Sequence, residues 1–110
     1  MDKSNAIEAL HALAQETRLE TFRLLVKRGG EGMAAGDIAG TLGVRQNTMS
    51  ANLAVLARAG MVRSEREGRT IRYFADFDGM RGLLAFLMED CCGGNPEQCK
   101  PVLDEVICAC

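Results

Sequence analysis

From Ala35 to Ala75 the apolar rhythm of the chain switches once, and that switch limits what it can fold into. Ile38, Ala39 and Leu42 share a face of a short helix over about residues 35–42. Gly43 follows, where a tight turn needs a positive φ. A second helix over about 46–59 places Met49, Leu53 and Leu56 on one face and stops at Gly60. Residues 61–66 and 70–75 then read as two short strands around Glu67-Gly68, with the strand formers Ile71, Tyr73 and Phe74 in the second. Two short helices hinged on a glycine and followed by a hairpin make a winged helix-turn-helix.

The flanking segments are helical. Ile7, Leu10, Leu13 and Ala14 recur at helical intervals within residues 5–14. Thr17 reads as the N-cap of the next helix, with Glu20 completing a capping box, and that helix carries Leu19, Phe22, Leu25 and Val26 to its end at Gly29-Gly30. Residues 77–88 return to helix, where Phe77, Met80, Leu84, Phe86, Leu87 and Met88 cover much of the circumference. So wide an apolar surface suits packing on a second copy; burial in the chain's own core is the plainer alternative. At 110 residues the chain is one domain, near the size where a partner subunit helps. The expected fold is mainly α with a small β-hairpin, paired as a homodimer through the N- and C-terminal helices.

The net charge of -2 hides an uneven spread. Residues 43–75 hold Arg45, Arg58, Arg63, Arg66, Arg69 and Arg72 against Glu65 and Glu67, while residues 76–110 are strongly acidic. A basic middle fits a polyanion, although a solvated face has the same composition. In a helix-turn-helix the second helix enters the major groove and the first braces it across the backbone. The outward face of residues 46–59 offers Gln46, Asn47, Thr48, Ser50 and Asn52, with Ala51 and Ala54 leaving room for close approach. Asn and Gln pair bidentately with adenine, and Ser and Thr accept either partner. Residues 45–58 contain no acid. Arg63, Arg66, Arg69 and Arg72 reach from the hairpin toward phosphate or the minor groove, which makes affinity fall with salt. Double-stranded operator DNA is the expected partner of a DNA-binding and dimerisation domain over 1–90.

Over about residues 7–76 the runs ALAQETRLETFRLL and GDIAGTLGVRQNTMSANLAVLARAGMVRSEREGRTIRYF resemble the ArsR/SmtB family of metal-responsive bacterial repressors. The ALA-x-x-TRL opening, the LAxLxxAGMV passage and the REGR wing occur together and in order. The resemblance implies a homodimer on a pseudo-palindromic operator, released when an inducer binds. It also places Gln46, Asn47, Thr48, Ser50 and Asn52 in the recognition helix and Arg66 and Arg69 at the wing. Some members carry a Cys-Val-Cys pair on the third helix, where this chain has Ala34-Ala35-Gly36-Asp37-Ile38. Others gather zinc through Asp, His and Glu on the last helix, but the single histidine here is His11. Zinc, which wants four ligands in a tetrahedron, is not expected.

Five thiols crowd residues 91–110, a cysteine-rich tail expected to be the sensor: Cys91, Cys92, Cys99 and, as weaker candidates, Cys108 and Cys110. Neighbouring Cα atoms sit ~3.8 Å apart, whereas a disulfide usually spans at least ~4.4 Å. A Cys91–Cys92 bridge is therefore strained. Two successive thiolates can hold one ion if a third folds back, and Gly93, Gly94 and Pro96 ease a return turn toward Cys99. Three sulfurs select a soft ion. Trivalent arsenic forms three As–S bonds, and Sb(III) is chemically similar, so As(III) is the expected inducer. The arrangement resembles an arsenic(III)-responsive branch of ArsR repressors with a C-terminal Cys-Cys…Cys site, departing from it by about one residue in the gap.

Three rivals use the same residues. Oxidation or persulfidation of the thiols would switch the same DNA-binding dimer. A thiol enzyme is not expected, because the cysteines follow a helix C-terminus beside Glu89 and Asp90, which disfavours thiolate. A metal carrier leaves the Arg-rich hairpin unexplained. No apolar run approaches the ~20 residues of a membrane span, and MDKSNAIEAL lacks the pattern of a signal peptide. The expected location is the cytoplasm, where thiols stay reduced, with no membrane partner.

Overall fold

Helix α1 (Lys3–Leu13) starts where the Asp2 carboxylate accepts a 2.8 Å hydrogen bond from the Asn5 N–H. Its inward face is not the Ile7–Leu10 stripe but the alanines Ala6, Ala9 and Ala12, all buried. Their small side chains let α1 lie close on its neighbours and turn Ile7 and Leu10 outward. Helix α2 (Glu16–Arg28) is capped by Gln15 and not by Thr17. Extended backbone at Gln15 lets its Oε1 accept from the Arg18 N–H at 2.9 Å. Thr17 is already helical, and its carbonyl accepts from the buried Thr21 hydroxyl at 2.7 Å. Helix α2 buries Phe22 and Leu25 but leaves Leu19 and Val26 exposed.

The computed structural model describes residues 1–89 and 96–106. A short 3-10 turn (Gly29–Glu31) leads into strand β1 (Met33–Ala34), helix α3 (Ala35–Leu42) and helix α4 (Gln46–Arg58). Strands β2 (Val62–Glu67) and β3 (Thr70–Ala75) form the expected hairpin, and helix α5 (Phe77–Leu87) follows behind an Asp76 cap. The sheet has three antiparallel strands in the order β1-β3-β2, with Met33 opposite Tyr73 and Ala34 opposite Arg72. The third strand is too short for an alternating pattern to reveal. Gly32 admits it: a Cβ there would run into the Tyr73 carbonyl and the Phe74 ring. Residues 96–106, within the expected cysteine-rich tail, form helix α6 (Pro96–Val106). Proline suits the first helical position because its missing N–H is not needed there.

Leu25, Ile38, Met49, Leu53, Leu56 and Met61 are fully buried where α2, α3, α4 and the base of the hairpin meet. Each such side chain contributes roughly 1.5–3 kcal/mol on removal from water. Leu83 of α5 joins this core, while Phe77, Leu84 and Leu87 stay exposed. The two helices expected to pair with a second copy thus leave large apolar side chains outside. Among the described residues no helix is long and apolar enough to cross a membrane.

Candidate functional site

Gly43, with φ 66 and ψ 35, takes the left-handed turn that joins α3 to α4. The Val44 N–H closes the turn on the Ala39 carbonyl at 2.9 Å. Arg45 then occupies the N-cap of α4 with extended backbone and no side-chain cap, and the first turn carries no acid. The Gln46 and Asn47 N–H groups at the head of α4 therefore stay available, in the place where helix termini bind phosphate. Asn47 Oδ1 accepts from the Thr48 N–H at 2.9 Å. Met49, Leu53 and Leu56 turn inward, and Arg45, Gln46, Asn47, Thr48, Ser50, Ala51 and Ala54 are exposed as expected of a groove-entering face. Small and uncharged side chains at Ala51 and Ala54 keep that face close-fitting.

Asn52 stands apart. It is half-buried, and its Oδ1 accepts from Arg18 Nη1 at 3.3 Å. Arg18 also donates through Nε to the Ala12 carbonyl at 2.6 Å. Sequence reasoning missed Arg18. Its only signal is a cation placed directly before Leu19 in the TRL run, at a position that a simple amphipathic pattern leaves to solvent.

The four hairpin arginines divide into two pairs. Residues opposite each other share a face of the sheet, so Arg63, Glu65, Glu67, Arg72 and Phe74 lie on one side. There Arg63 pairs with Glu65 at 2.7 Å and lies 4.4 Å from the Phe74 ring centroid. Arg72 pairs with Glu67 at 3.4 Å and donates to the Glu31 and Gly32 carbonyls at 2.9 and 3.3 Å. The Arg72 guanidinium ties the wing to the turn before β1, whereas the Arg63 guanidinium is held within the hairpin. Arg66 lies on the other face, opposite Ile71, and Arg69 lies beside the Gly68 turn. Neither side chain has a hydrogen bond or ion pair among the described residues, so their charge is available at the wing tip.

The thiols are less fully placed. Cys91, Cys92, Cys108 and Cys110 lie outside the described residues, and the Cys99 backbone lies in the first turn of α6.

With this geometry in view, residues 13–65 match the model of a helix-turn-helix domain family. The chain is 26% identical over 94 residues to the transcriptional activator HlyU of Vibrio cholerae, covering 86% of this chain and 84% of that protein. The solved HlyU structure superposes with a TM-score of 0.62 over 79% of this chain and 97% of that one. Mb0332 from Mycobacterium bovis, a homodimeric winged helix-turn-helix DNA-binding domain and possible ArsR-family regulator, is 30% identical with a TM-score of 0.64. That match covers 79% of this chain and 81% of Mb0332. A possible transcriptional regulator for arsenical resistance is 27% identical, with a TM-score of 0.63 over 73% of this chain and 80% of that one.

Proposed function

Because the chain belongs to the ArsR-like family of winged helix-turn-helix transcriptional regulators, we propose that it is the repressor of an arsenic-resistance operon, released from its operator by As(III). The DNA-binding half of this reading rests on one observation above others. An acid-free α4 with no side-chain cap from Arg45 stands in the same domain as two arginines, Arg66 and Arg69, whose side chains have no internal partner among the described residues. The helix face reads bases, and Arg66, Arg69 and the α4 terminus hold phosphate.

The operator-bound form is a homodimer. Ile7 and Leu10 on α1 and Phe77, Leu84 and Leu87 on α5 are each at least 40% exposed, an apolar surface that a second copy covers. Mb0332 is itself homodimeric. Two copies place two recognition helices on two half-sites.

The inducer half rests on thiol chemistry. Arsenous acid exchanges each As–OH for an As–S bond, and every thiol proton leaves with hydroxide as water. Cys91, Cys92 and Cys99 supply the three sulfurs, with Sb(III) binding likewise. Likeness to a possible transcriptional regulator for arsenical resistance supports the choice of ion. Since the first two thiols follow α5, drawing Cys99 to them restrains that helix where it meets the second copy. Release requires the ion to favour the DNA-free form, and operator DNA must then weaken ion binding by the same factor. The protein acts in the cytoplasm and is not an enzyme.

A second reading, release by thiol oxidation or persulfidation, draws support from HlyU, one of whose solved structures is of the reduced protein. Anisotropy of a labelled operator separates the two. Arsenite and antimonite are expected to release the reduced protein near stoichiometric amounts, whereas zinc, cadmium and peroxide are not. Release by peroxide alone contradicts the arsenic reading and supports the redox one.

A further inference from the structure

Arg18 stands where three helices meet. Its Nε donates to the Ala12 carbonyl at the end of α1, and its Nη1 donates to Asn52 Oδ1 on α4. Two donations in different directions fix the plane of the guanidinium, which has only donors to offer. The atom of Asn52 that meets it is therefore the amide oxygen, even though an amide's orientation is otherwise ambiguous. Among the described residues no buried side-chain nitrogen or oxygen lacks a partner. Asn52 Nδ2 has no partner among the described residues, so it opens to solvent.

Bidentate reading of adenine requires the oxygen and the nitrogen of one amide to turn together toward the base edge. In this structure the oxygen is held inward. Resting on the DNA-binding reading above, we infer that Arg18 orients Asn52 as a hydrogen-bond donor, so that Asn52 reads a carbonyl acceptor that adenine lacks, guanine O6 or thymine O4, instead of pairing bidentately with adenine. Arg18 touches no base in this arrangement; it is a positioning residue. Because the same guanidinium holds the end of α1, the donor's place is set from the helix that turns Ile7 and Leu10 outward.

The test begins with duplexes selected from a random pool by the full-length chain. Each base pair of the enriched site is then varied while binding is followed by anisotropy. Asn52→Ala is expected to flatten a guanine or thymine preference at one base pair per half-site, by about 5- to 150-fold. Asn52→Asp keeps an oxygen for Arg18 but presents an acceptor outward, so preference at that pair moves to cytosine, whose amino group donates. Arg18→Met frees the amide and moves the preference to adenine, while Arg18→Lys, which keeps a donor, restores part of the original order. If Arg18→Met does not fold, the Asn52→Asp arm decides. Preferences left unchanged by Asn52→Asp, or abolished equally at every base pair, overturn the role given to Arg18 while leaving DNA binding intact. A wild-type chain that enriches no duplex overturns the DNA-binding reading, and this inference with it.

Discussion

Gly79, in the first turn of α5, lies directly against the backbone carbonyl of Gly60, the residue that follows the C-cap of α4. No side chain fits between them. The contact sets α5 on the end of the recognition helix with backbone against backbone, and Asp76 fixes the same turn by accepting from the Gly79 N–H at 3.0 Å.

Gly79→Ala is therefore expected to destabilise the protein by about 2–3 kcal/mol, since neither backbone can yield cheaply. Gly82, one turn further along α5, meets only the Met1 side chain at ordinary contact distance. Gly82→Ala is expected to be neutral or to stabilise by up to ~1 kcal/mol through helix propensity. Urea denaturation of the two variants, monitored by circular dichroism, checks the contrast.

The division of the wing arginines gives a second expectation. Replacing Arg66 and Arg69 by Ala is expected to weaken operator binding and to lower the slope of log affinity against log salt by about 0.9 for each phosphate that is no longer neutralised. Arg63→Ala is expected to change that slope much less, because Glu65 already offsets its charge. The pair is exposed, so its removal costs stability only ~0–1 kcal/mol. Equal slopes for the two variants would contradict the division.

The outward apolar side chains of α5 give a third. Leu84→Glu, at a position 41% exposed in the single chain, is expected to leave the fold intact and to shift sedimentation from dimer to monomer. Operator affinity should fall with it, because one protomer holds one half-site. A dimer unaffected by both Leu84→Glu and Leu87→Glu places the contact elsewhere.

Much of this was legible in the sequence. The span of α3 and the left-handed turn at Gly43 follow from apolar spacing and from a glycine where positive φ is required. The β3 span is equally plain, because β-branched and aromatic residues cluster there. Less visible was which face of α1 is buried: hydrophobicity points to Ile7 and Leu10, but close helix packing selects Ala6, Ala9 and Ala12. Helix α6 was obscured by Pro101, which stands inside it although proline normally disfavours a helix interior. Charge counts also treat the four wing arginines alike. Only strand register separates Arg63 and Arg72, tied to Glu65 and Glu67, from Arg66 and Arg69. Arg18 was hidden because its partners, Ala12 and Asn52, lie six and 34 residues away.

Capture of arsenic by three thiols as the event that frees the operator is tested most directly by one paired titration. Arsenite is added to operator complexes of the wild-type protein and of Cys99→Ser, both reduced, while anisotropy reports the bound DNA. Release of DNA from the wild-type complex and retention in the Cys99→Ser complex at the same arsenite concentration is the expected result. Equal release from both complexes, or from neither, contradicts it.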